Sequence, residues 1–447
     1  MAAINTLPSE LSAAILSCLE DIKDLIRAIC SCRNFYNSFK EHRGVPGAIV
    51  HTFFNPRFLP LAMATQHVPR LPSPRTASAV RAFTDELANP DGRLLFKLIT
   101  RMTLPELYKM LDTHNAIASL ASDMSKYAWR MYDYISGARL GDLRISPRES
   151  ERFLRAFYRV EIFFKAFRTS AYIPDPEVVR QSQLWLVKSF PQIEIEQIAC
   201  VNEYLERMLR VCGNDLFAYD LEMAAMGVDY CSWNDNPWMQ RWISQGALFC
   251  WKFSKAIEAT QQIMLVSALE SDTAHLFRAL QTQRDVYRED PSQAPTRPRD
   301  HGDDNVGPRY AYEFSHLDQF LDANSMPTGR PLVTSVATHD RGLRETAYVM
   351  WDIQRMERYK LWYHMEHATA YGGADATEAD HVHMQSWWRV CGVIWKRRMR
   401  AGLWRRNAQS LEEESPEVES PGVEPSEVET SEEETSEGEP LEEAQGE

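Results

Sequence analysis

The chain has 447 residues, 44% of them apolar, with 12 Trp, 17 Tyr and 19 Phe, which suffices for two or three compact units and a sizeable core. Its eight cysteines are scattered without a CxxC pair, no basic segment precedes an apolar run at the N-terminus, and no stretch of eighteen apolar residues occurs. This argues against a disulfide scaffold, a secretory leader and a membrane span, and leads us to expect a reduced, intracellular, soluble protein in the cytoplasm, the nucleus or both. The formal charge of −14 is local: residues 411–447 hold 16 Glu and no Lys or Arg, and setting them aside leaves +2, too little to support sustained nucleic-acid binding.

Taken in chain order, residues 7–39 read as three short helices. The first opens at Leu7-Pro8, with Pro8 preset for a first turn and Glu10 complementing the helix dipole. Leu11, Ile15, Leu16 and Leu19 recur along it at helical spacing. Asp21 is placed to cap a second helix carrying Ile22, Leu25, Ile26 and Ile29, and Ser31 a third carrying Cys32, Phe35, Tyr36 and Phe39. That is much apolar surface on a segment below the ~40 residues at which domains usually fold unaided, so something else must cover it.

Residues 46–80, with Pro56, Pro60, Pro69, Pro72 and Pro74, read as a linker or covering loop. A helical body is expected over 81–408. One helix runs from Pro105 to about Tyr132, and another starts at Ser146-Pro147-Arg148-Glu149, where Ser caps, Pro takes the first position and Glu completes a capping box. Phe153, Phe157, Val160 and Phe164 follow on one face of the latter. Ile198, Val201, Leu205, Met208 or Leu209, and Cys212 make a further stripe, and Trp238–Leu269 reads as a long central segment. A flexible insertion is expected at about 284–310, and helical pattern resumes over Arg341–His367 and Ala379–Trp404. No period of twenty to fifty residues is present, which excludes leucine-rich and propeller repeats. Residues 409–447 repeat in fives without an aromatic residue and read as a disordered acidic tail. The expected class is all-α.

In the N-terminal trio, Leu7-Pro8, Glu10-Leu11, Ile15, Leu16, Leu19, Asp24-Leu25, Ala28, Cys32-Arg33 and Phe35 fall in the order and spacing of an F-box, and residues 1–45 resemble that family. The resemblance implies a three-helix unit that docks on the Skp-type adaptor of a cullin-RING ubiquitin ligase. It implies adaptor contacts from Leu7, Pro8, Glu10, Leu11, Ile15, Leu16, Leu19, Leu25, Ile29, Cys32 and Phe35. The body would then hold an unknown target protein, and cullin and RING subunits would join through the adaptor. The body, with Arg155-Ala156-Phe157-Tyr158-Arg159-Val160-Glu161 and Arg341-Gly342-Leu343-Arg344, more loosely resembles F-box proteins of filamentous fungi. A plain alternative for the trio is an N-terminal hairpin packed on its own body.

Other readings belong to different classes. A scaffold bound to the adaptor outside a ligase needs the same trio. A helical enzyme would need a site, and there is no Walker loop, GxGxxG, GxSxG or HExxH, so no catalytic residue, cofactor or metal is assigned. His364, His367, His381 and His383, with Asp375, Glu378 and Asp380, reach only the minimum spacing for zinc. The basic run 396–406 reads as a solvated helix face or a nuclear-import signal. In the tail, Ser426, Ser431 and Ser436 each precede a Glu by three, resembling acidophilic kinase sites. Alternatively, the tail folds back on the basic run or serves as a solvated spacer.

Overall fold

The computed structural model describes residues 7–19, 22–42, 44–89, 91–137, 139–169, 175–232, 236–281, 306–315, 341–365 and 378–400. Their regular structure is helical. No strand forms among them, and one isolated antiparallel bridge joins Thr169 to Thr273. The all-α class expected from the helical periodicities is therefore the one adopted. No described helix is long and apolar enough to cross a membrane.

The N-terminal trio is α1 (Ser9–Ser17), α2 (Ile22–Ser31) and α3 (Arg33–Glu41), and both α1 and α2 pack on α3. Pro8 stands one residue ahead of its expected place. It is the N-cap, with φ −54° and ψ 145°, and its carbonyl accepts from the Ser12 amide at 3.1 Å. Ser31 does not cap α3, because α2 runs through it and its hydroxyl donates to the Ala28 carbonyl at 2.7 Å. Cys32, in extended conformation, takes the N-cap position instead. Asp21 lies outside the described residues.

Residues 46–80 are not a linker. They contain most of α4 (Gly44–Phe53), all of α5 (Leu59–His67), a 3-10 turn at Val68–Arg70 and the start of α6 (Ala77–Leu87). Ile49, Val50, Phe54, Phe58, Leu59, Met63 and Val68 are all buried. The prolines mislead because two of them start helices: Pro60 and Pro69 sit in the first turns of α5 and the 3-10 turn, where a missing N–H costs nothing. The expected boundary at residue 45 also falls inside α4, which packs on α1, on α7 (Arg93–Ile99) and on α8 (Leu104–Ser136).

The centre is built from α8, α9 (Pro147–Ala166) and α11 (Gln192–Cys212). α8 starts with a capping box from Thr103 and Glu106. The Ser146–Glu149 box opens α9 as its sequence spells it, with Glu149 N donating to Ser146 Oγ at 3.1 Å and Ser146 N donating to Glu149 Oε2 at 2.9 Å. Phe153, Phe157, Val160 and Phe164 are buried, as are Ile198, Val201, Leu205 and Leu209 on α11. Around this centre lie α10 (Pro176–Ser189), α12 (Asn214–Tyr219), α13 (Leu221–Ala225), α14 (Pro237–Ile243), α15 (Ala247–Lys255), α16 (Glu258–Ser267) and α17 (Leu276–Gln281).

The expected central segment Trp238–Leu269 holds three helices. The first break falls at Gly246, whose φ of +100° suits glycine. A Cβ there would lie 2.7 Å from Glu161 Oε2, and that oxygen accepts from the Ala247 amide at 2.7 Å, capping α15 from another helix. Within the expected insertion, 284–305 lies outside the described residues and Val306–Ser315 is a helix. Gly307 lets that helix approach the 351–353 backbone, where a Cβ would meet Ile353 N at 2.4 Å. Arg341–His367 is broken into a helix at Arg341–Glu345, a 3-10 turn at Tyr348–Met350 and a helix at Ile353–Tyr359.

What closes the core is charge. α9 and α11 are buried over much of their length, so several of their ionised side chains, Glu149, Arg152, Arg159, Glu161, Glu194 and Glu196 among them, lie away from water. Arg344 Nε lies 2.7 Å from Glu196, with both side chains 3% exposed. Arg355 pairs with Glu149 at 2.7 Å, Arg159 with Glu194 at 2.9 Å, and Arg152 with Asp352. Arg344, Asp352 and Arg355 thereby pin residues 344–355 onto the central helices across 148 to 206 positions of chain, while the Arg159–Glu194 pair ties α9 to α11. Trp351, fully buried, fits between Phe153 and Trp129 at 5.4 and 6.0 Å.

The C-terminal helix Glu378–Arg400 crosses the border between two compact units, Met1–Gly392 and Val393–Glu447. The tail 409–447 lies outside the described residues.

Candidate functional site: an apolar stripe on the first helix

The trio divides its apolar residues between two directions. On α1, Ala13 and Leu16 are buried, whereas Leu11 is 53% and Ile15 45% exposed. Pro8 and Cys18 are exposed as well. Positions 8, 11, 15 and 18 follow helical spacing and form one outward stripe of apolar or weakly polar side chains. Glu10 is exposed on the same first turn. On α3, Tyr36 is 48% exposed with the Lys40 ammonium 5.5 Å from its ring centre.

The inner face fixes this arrangement. Leu16, Leu25, Ile29 and Phe35 are between 0% and 8% exposed and join the hydrophobic core. Polar ties lock α3 to the start of α1. Asn34 Nδ2 donates to the Leu7 carbonyl at 3.2 Å and to Ser12 Oγ at 3.0 Å, and the His42 ring lies 3.1 Å from Ser9 Oγ. An exposed Arg27–Asp24 pair at 2.9 Å on α2 adds little to stability, since both partners stand in water.

The eleven residues expected to touch an adaptor therefore separate into groups. Pro8, Glu10, Leu11 and Ile15 are brought together on the surface. Leu7, Leu19 and Cys32 are half-buried at its margin. Leu16, Leu25, Ile29 and Phe35 are turned inward and pack in the core. Apolar periodicity marks a residue as needing cover but does not say from which side cover comes. Cys18 and Tyr36 were missed as surface members, although the 8/11/15/18 spacing would have identified Cys18.

Other chemistry-bearing groups assemble no second site. Among the described residues no three His, Cys, Asp or Glu side chains are placed to hold a metal ion. His367 and Asp375 lie outside them. The buried Cys200 and Cys250 thiols are pushed up from their ordinary pKa, first by burial and then by Glu196 and Glu161 respectively, which keeps them protonated. A cleft of about 490 Å³ opens beside the start of α9, but its Asp352 carboxylate already accepts from Ser146 and Arg152.

The stripe can bind a complementary apolar surface. No family model, curated protein or solved structure matches this chain.

Proposed function

We propose that the chain is the substrate-receptor subunit of an SCF-type cullin-RING ubiquitin ligase. In this reading α1–α3 form an F-box that holds a Skp-type adaptor, and the helical body holds a target protein. The observation that carries it is the outward stripe of Pro8, Leu11 and Ile15 on a trio whose Leu16, Leu25, Ile29 and Phe35 are already buried in the core. The F-box-like order of residues 7–35 supports the same reading. Exposed apolar side chains on α1 gain roughly 1.5–3 kcal/mol each when a partner covers them fully. No bond is made or broken by the receptor; it raises the concentration of a bound target beside the ligase's catalytic arm.

The test is adaptor capture by the full-length chain carrying Pro8→Asp and Leu11→Asp. Charges placed in an apolar interface cost several kcal/mol, so capture should be lost while the helical circular dichroism spectrum is unchanged. Undiminished capture would overturn the assignment. Deleting residues 1–42 is a poorer test, because it also removes Leu16, Leu25, Ile29 and Phe35 from the core. Co-purification of cullin and RING subunits supports ligase action. Recovery of the adaptor alone points instead to a scaffold outside the ligase.

A further inference from the structure

The C-terminal helix ends in a surface that no role described so far uses. Val393 is 51% and Ile394 36% exposed, and Lys396 and Arg397 are exposed too. Helical spacing sets Lys396 and Arg397 one turn beyond Val393, and Arg397 one turn beyond Ile394. Two bare apolar side chains are thus flanked by cations on one side of the helix. The sequence from His381 to Leu411 contains no Asp or Glu to neutralise them, and it adds Arg398, Arg400, Arg405 and Arg406.

The acidic tail presents the same two chemistries with the opposite sign. Its pentads place Val418, Val423 and Val428 five residues apart, and a Glu adjoins each: Glu417 and Glu419, Glu424, Glu427 and Glu429. A tail designed only for solubility would not require a regularly spaced valine. We propose that residues 411–439 dock in cis on the Val393–Arg397 surface, glutamates on Lys396 and Arg397 and valines on Val393 and Ile394.

The tether decides between this occupant and others. The chain between Arg397 and Glu412 reaches roughly 50 Å when extended, at about 3.3 Å per residue. The surface itself spans under ~10 Å of helix. A short flexible tether gives an effective concentration on the order of millimolar, which suffices for contacts that are individually weak. A second copy of the chain meets the surface only at its bulk concentration. Docking in cis screens the basic helix from other anions, nucleic acid included. The inference does not depend on the adaptor reading.

Zero-length carbodiimide cross-linking of the full-length chain, read by mass spectrometry, tests it. Lys396 should join tail glutamates, and the yield should fall when roughly 0.5 M NaCl shortens the screening length. Tether proximity alone would produce some of this cross-link, so the variants decide. Arg397→Glu should lower the Lys396 yield about threefold, and Val393→Ser combined with Ile394→Ser about twofold, with the tether untouched. Yields unmoved by both variants overturn the proposal. So does a mixture of light and heavy isotope-labelled chains in which the cross-links form between chains at the statistical share, since the occupant is then a second copy.

Discussion

The first helix and the two central helices solve opposite problems. α1 keeps Leu11 and Ile15 in water, whereas α9 and α11 keep Glu149, Arg159, Glu194 and Glu196 away from it. Each arrangement inverts the usual rule that apolar side chains go inside and charges outside. The inversions have different causes. A buried charge is tolerated when another residue of the same chain completes it, as Arg344 completes Glu196. The Leu11–Ile15 stripe is left uncovered by the described residues of its own chain. A charge drawn inward therefore reports on the fold, and an apolar residue left outside marks a surface still open to cover.

The largest expected effect comes from breaking a central pair. Arg344→Ala or Glu196→Ala leaves one buried charge alone and should cost about 3–5 kcal/mol, read as a fall in the urea midpoint. Replacing both together, Glu196→Leu with Arg344→Met, should restore most of that loss. A single variant within ~0.5 kcal/mol of wild type would mean that the pair is not sealed from water.

The next effect sharpens the division within α1. Leu16→Ala should destabilise by about 2–5 kcal/mol through an internal cavity. Leu11→Ala should change stability by less than ~0.5 kcal/mol yet weaken adaptor capture about tenfold, the equivalent of roughly 1.4 kcal/mol. If Leu11→Ala instead costs as much stability as Leu16→Ala, the stripe is not a surface.

The smallest effect concerns a partly exposed charge between these extremes. Burial tends to raise the Glu106 carboxyl, but hydrogen bonds from Thr103 and the charge of Arg70 outweigh it and hold the group at about 2, below the usual 4.5. A group lowered on folding stabilises above its unfolded pKa and ceases to as the pH falls through its folded one. The stability difference between wild type and Glu106→Gln should thus be full above pH 4.5 and vanish towards pH 2. A difference that persists unchanged at pH 2 would assign the effect to packing instead.

These contrasts also explain what could be read in advance. The start of α9 was legible to the residue, because a capping box is complete within Ser146–Glu149. The long α8 differed from expectation by only a few residues for the same reason, its ends being set by local groups. Pro60 also stands in a first helical turn, but with Phe58 as N-cap and no capping box around it, the cluster of prolines read as a loop. The pins between α9, α11 and residues 344–355 were illegible. Glu196 and Arg344 lie 148 positions apart, and each alone looks like a solvated charge. For the candidate site, the stripe residues were recognisable by spacing, but which of the apolar positions faced outward depended on α4, whose place against α1 no local pattern reveals.

That helix gives the trio a mechanical character. α4 touches α1 and also α7 and α8, so α1 is a mounted bracket, not a bead on a string. A partner seated on the Pro8–Leu11–Ile15 stripe would share a frame of reference with the body at fixed bearing and distance. Where a hinged arm explores many orientations and spends little time in any, a mounted one points in a single direction. In the proposed receptor role, a target held by the body would be presented along the same line, and only the part of it lying on that line would be within reach.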